Sequence, residues 1–456
     1  MNLSQPPIFN QFSSLVRLRT GTPPRLNKHT IDYSKCIKQE VDEEYTAMHL
    51  GNRKLLKTQF NQNEQIECYL TQTTLKTKEI VLSHLDRLPD YKTEEGIEAK
   101  PPRYCPSIDA KIRRFQDKDQ HYIWLEPESQ LNNVLFPNGL STGFPLDIQE
   151  KIVESITGLE NAEILRPAYS VEYDCVNPKQ LKPTLELEKI SGLFLAGQIN
   201  GTTGYEEAGS QGILAGINAG LHNTGENAQK LGDFGEFVLE RDEAMIGVLV
   251  DDITSLGLRE PYRIFTSRSE YRLSVRPDNS YERLSQKSEK IGVKNEPFFE
   301  EARQRRKSLD QIEARLNGIW VSKAQIIEAG LDRKVSEKDN KPKSLYELVQ
   351  RFNFKKKECL LLAEDELSDL DLTFFEDCLI KVFYEVYSKK EASEAKSVLR
   401  DAKKTVIEGF DFGKLKGVIS NEEVEILVEN QPKTLFAASR LSGIRPMTLS
   451  YIKTLV

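Results

Sequence analysis

Hydrophobic residues recur at helical spacing through much of the chain beyond residue 140. In PLDIQEKIVESITGL, residues 145–159, Ile148, Ile152 and Ile156 share one face, and Gly158 is expected to end the helix. Glycine becomes less frequent after about residue 240, so the second half of the chain is predicted to be all α-helical. The other predicted helices cover residues 210–225, 241–257 and 297–320 and the apolar-periodic segments after residue 345.

The first half of the chain carries shorter apolar runs between turn residues, which are typical of strands. Residues 66–88 predict a strand that leads into a helix, and HYIWLEP, residues 121–127, predicts another strand. ISGLFLAG, residues 190–197, is a short apolar run that ends in glycine, as buried parallel strands often do. We therefore expect the helix at residues 210–225 to pack closely on this strand through its small residues.

The segment that follows this apolar run is rich in glycine but has no GxGxxG pattern. AGQINGTTGYEEAGSQG, residues 196–212, lies between the predicted strand and the predicted helix. Bare backbone lets a flat or phosphorylated ligand approach closely, and a helix N-terminus favours negative charge. Asn200, Thr202 and Thr203 add short hydrogen-bonding side chains. Two interpretations stay open, a ligand site and a turn that only packs a helix on a sheet.

Composition limits the classes of function. The chain has 456 residues and a net charge of −7, so any contact with nucleic acid must come from local basic patches. The six cysteines form no CxxC pair and have no histidine at metal-ligand spacing, so neither a disulfide framework nor a metal site is predicted. No apolar stretch reaches the roughly 20 residues that a membrane span needs.

One cysteine has a setting that indicates chemistry. Cys105 lies in a proline-bounded segment beside Arg103 and shortly before Lys111. Nearby cations stabilise a thiolate, which is a nucleophile for an electron-poor carbon. A buried packing role is the alternative for Cys105, and the other five cysteines are interpreted as packing residues.

Arginine and tyrosine are concentrated in EPYRIFTSRSEYRLSVRPDN, residues 260–279. Arg268, Arg272 and Arg276 are spaced four apart, so a helix would align them on one face. Together with Arg263 and interleaved tyrosines, they predict a surface that contacts RNA phosphates and stacks on bases. The equal alternative is an intramolecular ion-pair face made with the acidic residues of the segment, Glu260, Glu270 and Asp278.

Several of these segments together resemble one family. RTGTPPRL, PRYCPSI, NGLST, LKPTLE, GLFLAGQINGTTGYEEAGSQGILAGINAG and EPYRIFTSRSEYRLSVRPDN are similar to segments of the MnmG (GidA) family and its mitochondrial counterparts. The resemblance implies an FAD-dependent enzyme that installs a carboxymethylaminomethyl- or taurinomethyl-type group on C5 of the wobble uridine, U34, of tRNA. The fold it implies is an α/β flavoprotein portion, an incomplete Rossmann-type FAD domain with an α+β insertion, followed by an all-α C-terminal domain.

The resemblance also implies cofactors, partners and site residues. It implies FAD, NADH as electron donor and a folate one-carbon donor, with tRNA, an MnmE-type GTPase and a homodimer as partners. Cys105 is implied to be catalytic. The residues implied to bind cofactors are Gly197, Gln198, Asn200, Gly201, Thr202, Gly212, Arg103 and Lys111, and those implied to contact tRNA are Arg263, Arg268, Arg272 and Arg276.

Family members begin with a GxGxxG-type fingerprint that binds the FAD pyrophosphate, and no such pattern is found here. We therefore interpret the chain as lacking the N-terminal fingerprint region and the family's second functional cysteine. The alternative function is a non-catalytic tRNA- and GTPase-binding module that has lost flavin binding. A mitochondrial location is expected if the source is eukaryotic, and a cytoplasmic one otherwise.

The resemblance divides the chain into four functional regions. They are a nicotinamide-associated α+β insertion at 1–145, the returning part of the FAD domain at 146–228, a helical tRNA-contacting region at 229–334, and a helical GTPase-docking domain at 345–456.

Overall fold

The chain divides into two compact units. The first comprises Met1–Gln180, Leu195–Gly209 and Leu258–Arg263, and the second comprises Leu181–Phe194, Ser210–Gly257 and Ile264–Val456. The computed structural model describes residues 15–40, 66–90, 107–222, 236–258, 260–292, 296–335, 341–405, 407–441 and 444–456.

The first unit contains two antiparallel sheets. Their strands are β1 Leu15–Thr22, β2 Arg25–Asn27, β3 Ile37–Lys38, β4 Tyr69–Gln72, β5 Tyr122–Pro127, β6 Val134–Asn138, β7 Ile164–Arg166 and β8 Tyr169–Val176. β1 and β8 pair along their whole length, from Leu15 opposite Val176 to Thr22 opposite Tyr169. The other six strands form one sheet in the order β3-β4-β5-β6-β2-β7. The strand predicted from HYIWLEP is confirmed as β5.

The core of this unit joins the six-stranded sheet to three short helices. These are α1 Leu75–Ser83, α2 Ile108–Arg114 and α3 Leu146–Glu154. The face predicted for the helix near residue 150 is confirmed, because Ile148, Ile152 and Ile156 are buried in this core. The α-helix ends at Glu154, before Gly158, whose φ of 81° closes the turn that follows.

The parallel strand predicted over residues 190–197 is wrong. Gly192 has a φ of 81°, and the N–H of Leu193 donates to the carbonyl of Ile190, so this stretch turns instead of extending. Phe194 contributes only an isolated antiparallel bridge to Glu186. A parallel strand needs a neighbour running in the same direction, and the ladders between the described strands are all antiparallel.

The second unit is helical, as the periodicity predicted. The helix α4, Tyr205–His222, begins in the first unit and ends in the second. The helices that lie wholly in the second unit are α5 Met245–Leu256, α6 Ser280–Lys290, α7 Glu296–Gly318, α8 Lys323–Glu328, α9 Leu345–Phe352, α10 Lys356–Leu367, α11 Phe375–Lys404, α12 Asn421–Asn430, α13 Leu435–Ser439 and α14 Pro446–Leu455. Two short strands, β9 Trp320–Val321 and β10 Lys343–Ser344, pair with each other. None of the helices in the described part of the chain is long and apolar enough to cross a membrane.

Two apolar cores stabilise these helices. The larger core joins α7, α9, α10 and α11 through fully buried side chains such as Leu316, Leu348 and Phe375. The smaller core joins the C-terminal helices through Leu427, Ala438 and Ile452. Burial of such aliphatic and aromatic side chains contributes about 1.5–3 kcal/mol each, so the helices depend on tertiary packing more than on propensity.

A buried carboxylate ties together the ends of two helices in the smaller core. Glu423 accepts hydrogen bonds from Arg445 Nη2 at 2.6 Å, Thr448 Oγ1 at 2.6 Å and Ser420 Oγ at 2.7 Å. The Arg445 guanidinium, with the other donors, holds the pKa of this carboxyl well below its usual range. The charged form of Glu423 is therefore part of the folded structure of α12 and α14.

We expect Glu423→Gln to destabilise α12 locally by about 2 kcal/mol near neutral pH, because charge-assisted hydrogen bonds are replaced by weaker ones. The folded-state pKa is lowered, so this contribution is present above the unfolded value of about 4.3 and is lost as pH falls below it. The wild type and the variant should therefore converge in acid. Hydrogen exchange of the α12 amides, corrected for intrinsic rates, measures both effects.

Glu422→Gln is the matched control, because Glu422 is the exposed neighbour of Glu423 on the same turn. Its exchange should stay at the wild-type rate at every pH. Equal protection in the Glu423→Gln variant and the control at neutral pH would contradict the role given to Glu423.

Candidate functional site

Residues 195–204 form a turn in which side chains donate hydrogen bonds to backbone carbonyls of the same turn. Gly197–Asn200 is a single 3₁₀ turn, and Gly197, Gly201 and Gly204 have φ values of 83°, 73° and 121°. Asn200 Nδ2 donates to the carbonyl of Leu195 at 2.8 Å, and Thr202 Oγ1 donates to that of Gly197 at 3.0 Å. The side chains of Asn200 and Thr202, both predicted to bind cofactor, are buried and stabilise the turn itself.

The turn is held from outside by Tyr262. The N–H of Tyr262 donates to the carbonyl of Gly201, and the N–H of Thr203 donates to the carbonyl of Tyr262, each at 2.9 Å. This pair of bonds makes a short parallel bridge between Thr202 and Tyr262. The first residues of the arginine-rich segment therefore belong to the same site as the glycine-rich turn.

Gly201 is required because the chain packs directly on its backbone. A Cβ atom there would overlap the side chain of Leu258 and lie 3.3 Å from Cys175 Sγ. Burial raises the pKa of the Cys175 thiol to about 11. Cys175 is thus a neutral packing residue at neutral pH, as the sequence interpretation expected.

Gln198 is the exposed polar side chain of the turn. Its amide lies near the hydroxyl of Tyr173 on β8, whose pKa is raised by burial. Gln198 is therefore placed to offer both a donor and an acceptor to a polar ring.

A buried ion pair lies at the start of α4. Arg263 Nε lies 3.1 Å from Glu207 Oε1, and the Glu207 side chain is fully buried while that of Arg263 is 41% exposed. A Cβ atom on Gly204 would overlap the Glu207 carboxylate and lie 2.9 Å from the Arg263 guanidinium. Gly204 thus leaves the space that this pair occupies.

The two faces of α4 differ in an unusual way. Its polar residues Glu207, Gln211 and Asn218 are buried. Asn218 donates to the carbonyl of Phe237 and accepts from its N–H, both at 2.8 Å. The other face is open, because a Cβ atom added to any of its glycines would meet no described atom within 4 Å outside the helix backbone. These glycines are Gly209, Gly212, Gly216 and Gly220.

These residues fit part of a flavin. The exposed Gln198 amide and the turn backbone provide hydrogen bonds for a flat heterocycle, and the glycines allow close approach. The start of α4, in contrast, is taken up by the ion pair of Glu207 with Arg263, so the protein's own carboxylate lies where a diphosphate would have to bind. The turn therefore fits the ring system of FAD better than its diphosphate.

The nicotinamide-associated segment is described only in part. Cys105 and Arg103 lie outside the described residues, so their predicted roles stay predictions. Lys111 Nζ donates to the carbonyl of Gly139 at 2.9 Å, and the N–H of Ile108 donates to that of Ser141 at 2.8 Å. The end of the PRYCPSI segment thus contacts the NGLST turn, two segments that are far apart in sequence.

The helix predicted to align three arginines is wrong. Thr266–Arg268 is a single 3₁₀ turn, and the α-helix α6 begins only at Ser280, after a second 3₁₀ turn at Pro277–Asn279. Arg272 is exposed and its Nε donates to the carbonyl of Ser269 at 3.3 Å. Pro277 restricts the preceding residue to extended backbone, which explains why a continuous helix does not form through this segment.

The ion-pair alternative holds for part of this segment. Arg276 Nε donates to Asp278 at 3.0 Å, and Glu270 accepts from Arg241 Nη2 at 2.9 Å. The predicted stacking residues Tyr262 and Tyr271 are both buried, so they are not available to bases.

Sequence reasoning missed Arg241. Its buried guanidinium bonds Asp252 at 2.6 Å, Glu270 at 2.9 Å and Asp251 at 3.1 Å, and Arg440 Nη1 shares Asp252 at 2.7 Å. The adjacent acids Asp251 and Asp252 inside an apolar helix were the available signal, because buried charges require partners.

The comparisons with known proteins show which family this chain is similar to. A family model for glucose-inhibited division protein A matches residues 9–227. Two crystal forms of GidA from Aquifex aeolicus are similar in structure. Form II matches with a TM-score of 0.76 and 35% sequence identity, and the match covers 98% of this chain and 68% of the GidA chain. Form I matches with a TM-score of 0.73 and 34% sequence identity, and the match covers 98% of this chain and 69% of the GidA chain.

We expect Gly201→Ala to destabilise the turn by about 2 kcal/mol or more, because alanine disfavours the positive φ at this position and its Cβ atom would overlap the side chain of Leu258. Gly216→Ala on α4 is the matched control, since an added Cβ atom meets nothing within 4 Å there beyond its own helix. Alanine should stabilise that helix by about 1 kcal/mol. Hydrogen exchange of peptides spanning residues 195–222 measures both, and unchanged exchange of residues 197–204 in Gly201→Ala would contradict the packing described.

Proposed function

The chain belongs to the glucose-inhibited division protein A family of tRNA-modifying flavoproteins, and from that premise we propose that it modifies C5 of the wobble uridine U34 in tRNA. The modification is of the carboxymethylaminomethyl or taurinomethyl type, with FAD and a GTPase partner. The observation that carries this proposal is the glycine-rich turn at residues 195–204, held against Tyr262, in a chain that aligns with GidA over 98% of its length.

FAD would supply the redox chemistry of the one-carbon unit. This chain's contribution would be to position the ring, which the exposed Gln198 amide and the backbone of residues 197–204 would hold. Glu207 and Arg263 keep the start of α4 closed to a diphosphate. Gly212 lies on the open face of α4, where an added Cβ atom would meet no described atom within 4 Å outside the helix backbone.

The nucleophile we propose is the thiolate of Cys105. Addition of its Sγ to C6 of the uracil ring would make C5 nucleophilic, so that C5 attacks the electrophilic carbon of the one-carbon unit. Loss of the C5 proton and expulsion of the thiolate then restore the aromatic ring. The cationic residues near Cys105 in sequence, Arg103 and Lys111, favour the thiolate and are proposed to serve the nicotinamide nucleotide.

The tRNA-contacting surface includes the arginines of the segment at residues 260–279. Arg272 is exposed and Arg268 is half-buried, so their guanidinium groups can reach phosphates. NADH as electron donor, a folate one-carbon donor, a homodimer and docking of an MnmE-type GTPase on residues 345–456 complete the proposal. A mitochondrial location is proposed for a eukaryotic source.

The test is complementation of a bacterial strain that lacks its own family member. Expression of this chain should restore the C5 modification of U34, measured by mass spectrometry of digested tRNA, because the chain supplies the ring-binding turn and the thiolate. Cys105→Ser should abolish the modification and keep tRNA affinity, since a serine hydroxyl is a far weaker nucleophile.

Cys68→Ser is the matched control, because Cys68 is half-buried and burial raises the pKa of its thiol. It should modify tRNA like the wild type. Unchanged modification in Cys105→Ser would contradict the catalytic assignment. A wild-type chain that binds tRNA and the GTPase but restores no modification would favour the non-catalytic binding module.

A further inference from the structure

A groove of about 410 Å³ in the helical second unit lies outside the site described above. Its walls come from the start of α10 and the first third of α11. Ile380, Phe383 and Tyr384 of α11 line one wall, and Lys355 and Lys356 at the start of α10 line the other. The volume lies within the range of small-ligand sites, so the groove admits a nucleobase-sized group.

Aromatic rings continue along α11 from this groove. Phe383, Tyr384 and Tyr387 form what we call the aromatic stripe, with the Phe383 ring centroid 5.0 Å from that of Tyr384 and 6.4 Å from that of Tyr387. Their spacing at positions 383, 384 and 387 places them on one side of the helix. Tyr387 is 55% exposed. Phe383 and Tyr384 are half-buried, so the aromatic stripe keeps ring area that a stacking partner can cover.

Two lysines carry positive charge at the groove. Lys355 is exposed and Lys356 half-buried, and within the described residues neither forms an ion pair. The Arg276 guanidinium lies 4.8 Å from the Tyr384 ring centroid, over its face, and its charge is paired with that of Asp278. Glu376 is the acidic residue among those that line the groove. The balance of charge at the groove is therefore positive in a chain whose net charge is −7.

We propose that this groove and the aromatic stripe bind a single-stranded segment of RNA, with bases stacked on the rings and phosphates held by Lys355 and Lys356. Base stacking on aromatic side chains, combined with a cationic rim, is the common chemistry of single-strand binding. The two lysines at the rim, which form no ion pair among the described residues, favour a polyanion over the apolar face of a protein helix. The inference rests on the proposed function, because it takes RNA as the substrate class.

This binding surface also supplies what the arginine-rich segment lacks. The tyrosines interleaved in that segment are buried, whereas Arg276 reaches the aromatic stripe through its contact with Tyr384. Arg276 Nη1 additionally donates to Ser388 of α11 at 3.3 Å. The stacking groups for RNA thus come from α11, more than a hundred residues further along the chain.

The test is fluorescence anisotropy of a labelled single-stranded RNA of about eight nucleotides, a length typical of such sites. The double variant Phe383→Leu and Tyr387→Ala should weaken binding about ten-fold or more, with the same salt dependence, because stacking is lost and charge is kept. The double variant Lys355→Ala and Lys356→Ala should reduce the slope of log affinity against log salt by about 1.4, from two lost phosphate contacts.

Trp320→Ala is the matched control, because Trp320 is an aromatic of the same unit that is 62% exposed and distant in sequence from the groove. It should bind RNA within about two-fold of wild type. Circular dichroism checks folding, and Tyr387→Ala alone, at an exposed position, provides the result if the double variant unfolds. A duplex of the same length should compete poorly, since its bases are not free to stack.

The outcomes separate this inference from the proposed function. RNA binding by the wild type that is unchanged in both double variants would overturn the groove and leave the proposed function standing. A wild type without affinity for the single strand would also overturn the groove, whereas the proposed function is tested separately by the modification of U34. Loss of a protein partner with RNA binding retained would show that the groove binds protein instead.

Discussion

The buried ion pair between Glu207 and Arg263 is the interaction on which the candidate site depends. A carboxylate as fully buried as that of Glu207 requires a charged partner, and removing that partner typically costs about 3–5 kcal/mol. Arg263 is held in place because Tyr262, directly before it, exchanges two backbone hydrogen bonds with the glycine-rich turn. The ion pair therefore joins the glycine-rich turn to the start of α4, and Gly204, which has no Cβ atom, leaves the space that the two charged side chains occupy.

This ion pair also decides which part of a ligand the turn can accept. A helix start that presents free N–H groups attracts phosphate, but here a negative side chain of the protein lies there instead. What remains accessible is neutral and polar, the Gln198 amide and the backbone beside it. In this segment Gly201 and Gly204 allow close packing, and the edge with Gln198 stays exposed.

The sequence predicts the helices and β5 well, because the spacing of buried positions and the turn residues that bound an element are local features of a few neighbouring residues. The strand predicted at residues 190–197 does not form, because Gly192 turns the chain there. An apolar run of that length does not reveal whether a parallel neighbour exists. The helix predicted from the four-residue spacing of the arginines does not form, because Pro277 restricts the residue before it to extended backbone. Arg241 with its three carboxylates, and the aromatic stripe on α11 beside Arg276, depend on contacts distant in sequence that no local pattern contains.

The central claim, that this turn binds the flavin ring and gives no support to the diphosphate, is tested most directly by titrating the chain with riboflavin and with FAD. Quenching of flavin fluorescence gives both affinities. The account predicts that the two dissociation constants agree within about three-fold, because only the shared ring contributes binding energy. FAD binding about a hundred-fold more tightly than riboflavin, which corresponds to about 2.7 kcal/mol for the diphosphate and adenosine, would contradict it, as would no binding of either.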